Sequence, residues 1–532
     1  MSRPPATPAT PAPPETPTGP AAIPLDEPPA TDSGQPGEGN RLRAVLALAR
    51  FEVRELLFQI QIVFFFLLYL GLVVVGLIPR DGMDAYPVLN TVDRGTQSAP
   101  LLFAISVLVC TNAAALRSRK HSTVQQFDVL PVEPWRRTLA HVLSVVPFAA
   151  LTGLVAVGAY TWEALKPGAI GHGSVGELAV APLTVLLAGA TGVLLARVVP
   201  TPFAPILFVI AYYLVFFMVA SGTEGEWPSW LSPVMYANIG GDPVPSDLLG
   251  RPATAHAVYL LGLCAIVICA ALLRAGGRTR AVKTATALAL ATTVAGAIGQ
   301  LPYDSAELAA ARRTATETPE KVQSCVERDG STYCSFPEWN GVRPGWAEVV
   351  GRVQALAGGA AAKASLTVRQ RVDTSSGVET DSYLVPLSAA HQVTVGTRWG
   401  GNRVPEFAVG VATVLVMGSE EAAVEREMCD ARPVTIMWLA LGADRDPSAT
   451  FQDLRVDDST EGGGTVLAPT NPLNVTADQS TVVRELLDRP RAEITARVKA
   501  HWAELTSART TTAEAAKLLG VPVPKEAEQC DE

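Results

Sequence analysis

Charge is what this sequence is short of. Asp, Glu, Lys and Arg make up 17% of its 532 residues, against 48% hydrophobic, where ordinary soluble proteins carry about 25% charged residues. With a mean hydropathy of +0.25, that shortage excludes a soluble protein of average makeup and points to a membrane protein. Positive charge is the scarcer sign. The net charge of −9 leaves no basic field for a phosphate backbone, so nucleic acid is not expected as a partner.

Catalytic signatures are missing as well. No glycine begins a GxxxxGK[ST] phosphate loop, so the chain has no such motif with which to bind ATP itself. The zinc-hydrolase pattern HExxH is absent. Only His391 and His501 fall in the C-terminal region, and neither has a second histidine four residues away. There is no GxSxG elbow. Hence no enzyme activity, no bound cofactor and no metal is expected, and the acidic run Glu420, Glu421, Glu425 and Glu427 reads as an exposed helical face.

Long apolar runs, in contrast, are plentiful. Crossing ~30 Å of hydrocarbon takes about 20 apolar residues in a helix. Runs at 56–78, 99–116, 139–161, 178–196, 203–221, 257–273 and 284–300 give about seven transmembrane helices. None contains Asp, Glu, Lys or Arg. A charge at mid-span costs about 2.5–3.5 kcal/mol, and chains that carry one generally use it to move protons or ions. Its absence removes the usual residues of a proton-coupled transporter, and Gln59, Gln61, Asn112 and His141 are expected to serve in helix packing.

Lys and Arg in the short loops set the orientation. Arg41, Arg43, Arg50, Arg54, Arg117, Arg119, Lys120, Arg136, Arg137, Arg197, Arg274, Arg278, Arg280 and Lys283 fall on one side, with Arg80, Arg94, Lys166 and Arg251 on the other. That bias places the N-terminus in the cytoplasm of a multi-pass plasma-membrane protein. Residues 1–40, rich in Pro, Thr and Ala, form a disordered tail. In 41–55, Leu42, Val45, Leu46, Ala49 and Val53, continuing to Leu56 and Leu57, mark one apolar face with Arg and Glu opposite, a helix lying in the inner interface. Residues 41–301 form the transmembrane domain.

An odd number of spans puts residues 302–532 outside as an α+β globular domain. Helical periodicity covers 346–356, 407–428 and 480–505, the last interrupted by Pro490. Strands are expected at 365–372, 382–387 and 392–395. Of seven cysteines, Cys110, Cys264 and Cys269 lie within spans. Cys325 and Cys334 flank an Asp-Gly turn signal, and Cys429 and Cys530 are left to pair with each other, although four cysteines allow three connectivities. An even count suits an oxidising compartment.

The longest inner loop reads RSRKHSTVQQFDVLPVEPWRRTLAH, Arg117 to His141. With its flanks it resembles the first cytoplasmic loop of ABC-2-type transporter permeases, particularly actinobacterial ones, the match resting on Leu130, Pro131, Val132, Trp135 and Arg136. The outer segment EGEWPSWLSPVMYANIGGDPVPSDLLG, with Trp227, Trp230, Pro233 and Tyr236, resembles the re-entrant half-helices of the same family, although these aromatics also suit an interfacial belt. The resemblance covers roughly residues 40–275. The seventh span and the large terminal domain depart from it.

The resemblance implies that Thr123, Gln126, Val129 and Leu130 pack into a groove on a separate ATPase subunit, which uses ATP and Mg. The permease, as a homodimer or pseudo-dimer in the bacterial lipid bilayer, would then export a substrate. The alternative is a membrane-anchored sensor or binding protein whose extracytoplasmic domain is the functional part.

Overall fold

The structure is a computed structural model that describes residues 38–78, 82, 85–120, 133–220, 232, 242–250, 252–301, 305–374, 384–423, 428–457, 463–470 and 472–524. Among the described residues, the chain divides between Ala44 and Val45 into two units.

Helix α1 (Glu38–Leu57) shows how the apolar stripe divides. At 100° per residue, Val45, Ala49, Glu52 and Leu56 share one flank, and all four are buried. Leu46 and Leu57, on the other flank, are exposed. The first flank packs on Ala140, Leu139 and Leu143. Glu52 thus faces the protein and not the polar side expected of it.

The helices α2 (Ile60–Leu77), α3 (Leu89–Gly95), α4 (Leu101–Lys120), α5 (Pro134–Leu143), α6 (Val146–Ala164), α7 (Val175–Val198), α8 (Ala204–Ala220), α9 (Ser246–Leu249), α10 (Ala253–Arg274) and α11 (Arg280–Gly299) follow. Each of the seven expected spans coincides with one of these, except that 139–161 takes in two and 56–78 begins on the last two residues of α1. Among the described residues, five stretches, namely 60–77, 134–164, 175–198, 253–274 and 280–299, are long and apolar enough to cross a membrane. The apolar parts of α4 and α8, Leu101–Arg117 and Ala204–Val215, are shorter. Residues 139–161 are not one helix, because Pro147 has no N–H to bond the Leu143 carbonyl. Ser144 and Val145 turn between α5 and α6, with Ser144 Oγ donating to His141 O at 2.7 Å.

Helix α7 lies centrally, against α4, α6 and α10. Its approach to its neighbours depends on two glycines. A Cβ on Gly192 would fall 2.2 Å from Leu108 O on α4, and one on Gly189 would fall 2.4 Å from Val145 Cγ1 in the turn between α5 and α6 and 3.1 Å from Val107 Cγ1 on α4. The contact lets Thr111 Oγ1 donate to Gly189 O at 3.1 Å and Asn112 Nδ2 to Gly192 O at 3.1 Å. Small residues and polar cross-links are the expected means of joining helices where burial from water supplies no drive.

Beyond α12 (Ala306–Glu317), the chain builds a sheet in the order β1 (Ser324–Arg328), β2 (Ser331–Ser335), β3 (Thr367–Gln370), β4 (Gln392–Val395). The first pair is antiparallel and the others parallel. Asp329 and Gly330 turn the hairpin with φ of 51° and 80°, the geometry that Asp-Gly favours, and the chain there joins Cys325 to Cys334. Residues 384–387 are not strand. Helix α13 (Arg343–Leu356) buries Trp346, Val349, Val350, Val353 and Leu356 as their spacing predicts. Helix α14 (Arg403–Met417) stops at Gly418, φ 91°, short of the expected 428. The remainder comprises α15 (Ala431–Leu441), α16 (Pro447–Leu454), a small sheet of β5 (Arg455–Asp457), β6 (Gly464–Val466) and β7 (Leu473–Val475), and then α17 (Ala477–Leu487), α18 (Arg491–Ala500), α19 (Trp502–Leu505) and α20 (Thr512–Leu519). The core is built around Trp339, Trp346, Trp438, Tyr333, Phe407 and Phe451.

Candidate functional site

Of the residues expected to dock an ATPase, Thr123, Gln126, Val129, Leu130, Pro131 and Val132 lie outside the described residues. Trp135 and Arg136 open α5, where Pro134 suits the first helical position. Both side chains lean on Glu133. Trp135 Nε1 donates to its carboxylate, Arg136 Nε does so at 3.1 Å, and the Arg136 guanidinium stacks 4.9 Å above the Trp135 ring. The indole also packs on the turn between α10 and α11, since a Cβ on Gly277 would fall 2.9 Å from Trp135 Cβ.

The base of that loop is tied to α1. Arg117, where the loop leaves α4, reaches Glu55 Oε2 at 3.4 Å and Glu52 Oε2 at 3.7 Å. His141, on the returning α5, sits 3.7 Å from the same Glu52 oxygen. Burial raises the Glu52 carboxyl above its ordinary range, the Arg117 charge pulls it back, and Glu55 raises it. One buried carboxylate therefore lies between the two stems of the basic loop and the amphipathic helix.

Trp227, Trp230, Pro233 and Tyr236 lie outside the described residues. A second polar constellation, which sequence reasoning missed, gathers around α3, at the end of the bundle away from the basic loop. Asn90, Asp93, Arg94 and Gln97 are all buried; they lie on α3 and just beyond it. Asn90 Nδ2 donates to Val244 O at 3.0 Å and Ser246 Oγ at 3.1 Å. Arg94 Nε donates to Asn90 O at 2.9 Å. Ser174 N donates to Asp93 Oδ2 at 2.7 Å, and Ser174 Oγ caps α7 by accepting from Gly176 N at 3.2 Å. Gln97 Nε2 donates to Glu177 on the first turn of α7. Asn90, Asp93, Arg94, Ser174, Glu177 and Ser246 wall a cavity of about 480 Å³ together with His172 and Asp247. Burial, reinforced by the nearby Glu177, pushes the Asp93 carboxyl up to about 7, against the opposing backbone N–H groups of Ser174 and Arg94 and the Arg94 charge.

The terminal domain is fastened to this end. Arg312 donates to the carbonyls of Leu248 and Leu249 at 3.0 and 3.1 Å. Glu338 accepts from Ser246 N at 3.0 Å, Arg398 pairs with Asp242 at 2.9 Å, and Val88, Ile170 and Leu248 join the core that contains Trp339.

The chain matches no family model, no curated protein and no solved structure. Its chemistry is read from its own residues.

In the domain itself, Cys429 is also disulfide-bonded, while Cys530 lies outside the described residues. Glu420 corrects the exposed acidic face. It is 4% exposed and accepts from Leu387 N at 3.0 Å, Thr394 Oγ1 at 2.9 Å and Thr394 N, fastening β4 to its neighbouring loop. No group of His, Cys, Asp and Glu among the described residues is arranged to hold a metal.

Proposed function

We propose that this chain is the membrane-spanning permease subunit of an ABC-2-type exporter, driven by ATP hydrolysis on a separate ATPase subunit. It sits in a bacterial plasma membrane with its N-terminus in the cytoplasm and its C-terminal domain outside, as a homodimer or pseudo-dimer. The observation that carries this reading is the attachment of both loop stems to α1. A push on the loop between Arg117 and His141 would pass into α4, α5 and α1 together, because Arg117 pairs with Glu52 and Glu55 on α1 and α5 packs on the same helix through Ala140. Two features support it: charge is absent from the seven apolar runs, and no phosphate loop occurs in the chain, so the energy must come from a partner.

The test is to replace Val129, Leu130, Pro131 and Val132 by Gly and Ser in an N-terminally tagged chain and isolate it from its native membranes. Wild type is expected to bring down a subunit with ATPase activity, and the variant to insert normally but lose that subunit or its stimulation. Wild-type complexes isolated intact without an ATPase would sink the exporter reading in favour of the anchored binding protein. Unchanged stimulation in the variant would remove the docking assignment alone.

A further inference from the structure

Among the described residues, the cavity beside α3 carries more negative than positive side chains. Asp93, Glu177 and Asp247 line it, against one guanidinium, Arg94, and the imidazole of His172. Within it, Asp93 is 1% exposed. Its Oδ2 has the Ser174 N–H, but Oδ1 has no hydrogen-bond partner. A buried carboxylate oxygen without a donor is unfavourable and calls for one. The donor must come from outside the described groups, and the space for it adjoins the residue. About 480 Å³ falls in the range of small-molecule sites, roughly 300–1,000 Å³, and Leu249, Pro252, Ala253 and Ala255 give one wall an apolar surface.

We propose that this cavity binds a small primary ammonium ion. Its N–H groups donate to Asp93 Oδ1, Asp93 and Glu177 balance its charge, and its alkyl part lies against the wall formed by Leu249, Pro252 and Ala253. Buried carboxylates are satisfied by a charge-assisted donor of this kind better than by a neutral one. The inference goes beyond the exporter reading and does not depend on it.

A proton competes for the same oxygen, because the Asp93 carboxyl titrates at about 7. The charged and titratable groups around it among the described residues are Arg94 on α3, Glu177 on α7, Asp247 on α9 and His172 in the loop before α7. Ammonium affinity is therefore highest above pH 7 and falls about tenfold per pH unit well below it.

The experiment uses the full chain in detergent and n-butylammonium chloride as the probe, with binding followed by calorimetry and thermal unfolding. The controls are n-butanol and sodium chloride at matched ionic strength. Saturable binding at pH 8, weakened at pH 6 and lost in Asp93→Asn, is the expected result. That variant keeps an acceptor for the Ser174 N–H and removes the charge. Glu177→Gln should weaken binding and supplies the test if Asp93→Asn does not fold. Equal binding of n-butanol, absence of saturable binding at pH 8, or wild-type affinity in whichever variant folds would overturn the proposal.

Discussion

Gly192→Ala isolates the helix seam in one atom. The added Cβ would lie 2.2 Å from Leu108 O and 2.4 Å from Thr111 Oγ1. Non-bonded heavy atoms rest at about 3.5 Å, so the α4 and α7 backbones must part by about 1 Å, and a gap of that size forfeits a quarter to a half of each contact's well depth. Overpacking of this kind costs about 1–3 kcal/mol. The hydrogen bonds Thr111 to Gly189 and Asn112 to Gly192 span the same seam, and losing both adds about 1 kcal/mol at roughly 0.6 each. The sum is about 2–4 kcal/mol. Unfolding in graded SDS and mild-detergent mixtures measures it, with Gly71→Ala as the reference because nothing lies within 4 Å of a Cβ there. Gly71→Ala is expected to be neutral or slightly stabilising, as Ala is the better helix former. A Gly192→Ala protein as stable as Gly71→Ala would refute the close-approach reasoning.

Two further outcomes concern the terminal domain. Glu420→Ala leaves the buried N–H of Thr394 and the half-buried N–H of Leu387 without an acceptor, at about 1–3 kcal/mol for the buried one, so chemical denaturation of the full chain should detect the loss in the tryptophan signal of this domain. Glu420→Gln, which keeps one acceptor oxygen, should lose less. Cys325→Ser with Cys334→Ser opens a link of sequence separation 9, which loop-closure entropy values at about 2–3 kcal/mol. The double variant should melt lower than the oxidised wild type and match the wild type in reductant that leaves other disulfides intact.

What the sequence made legible was whatever depends on local pattern. The apolar runs coincide with helices, the Asp-Gly turn joins β1 to β2, and the Trp346 to Leu356 stripe is buried along one face of α13, because each is decided within a dozen residues. Pro147 was readable as a break in principle, yet the apolar composition on both sides hides it. The constellation around Asp93 was missed because its members come from separate segments and are brought together only by tertiary packing. A local sign did exist: Asn90, Asp93, Arg94 and Gln97 recur at spacings of three and four, a polar helical stripe between two apolar runs. Glu177, one residue before the fourth run, was the companion sign. Glu52 and Glu420 misled for a different reason. Charged residues are mostly solvated, and burial of either requires partners, Arg117 for one and the β4 edge for the other, that no local window contains.

The clasp formed by Arg312, Glu338 and Arg398 simplifies one open matter. Because these residues hold the segment from Asp242 to Leu249, and that segment walls the Asp93 cavity, the domain and the cavity open to the same compartment in any inserted arrangement. A single accessibility label at Asp329, 78% exposed at its side chain, therefore reports for both. Sidedness becomes one measurement, and a ligand for the cavity would be sought in whichever compartment that label answers from.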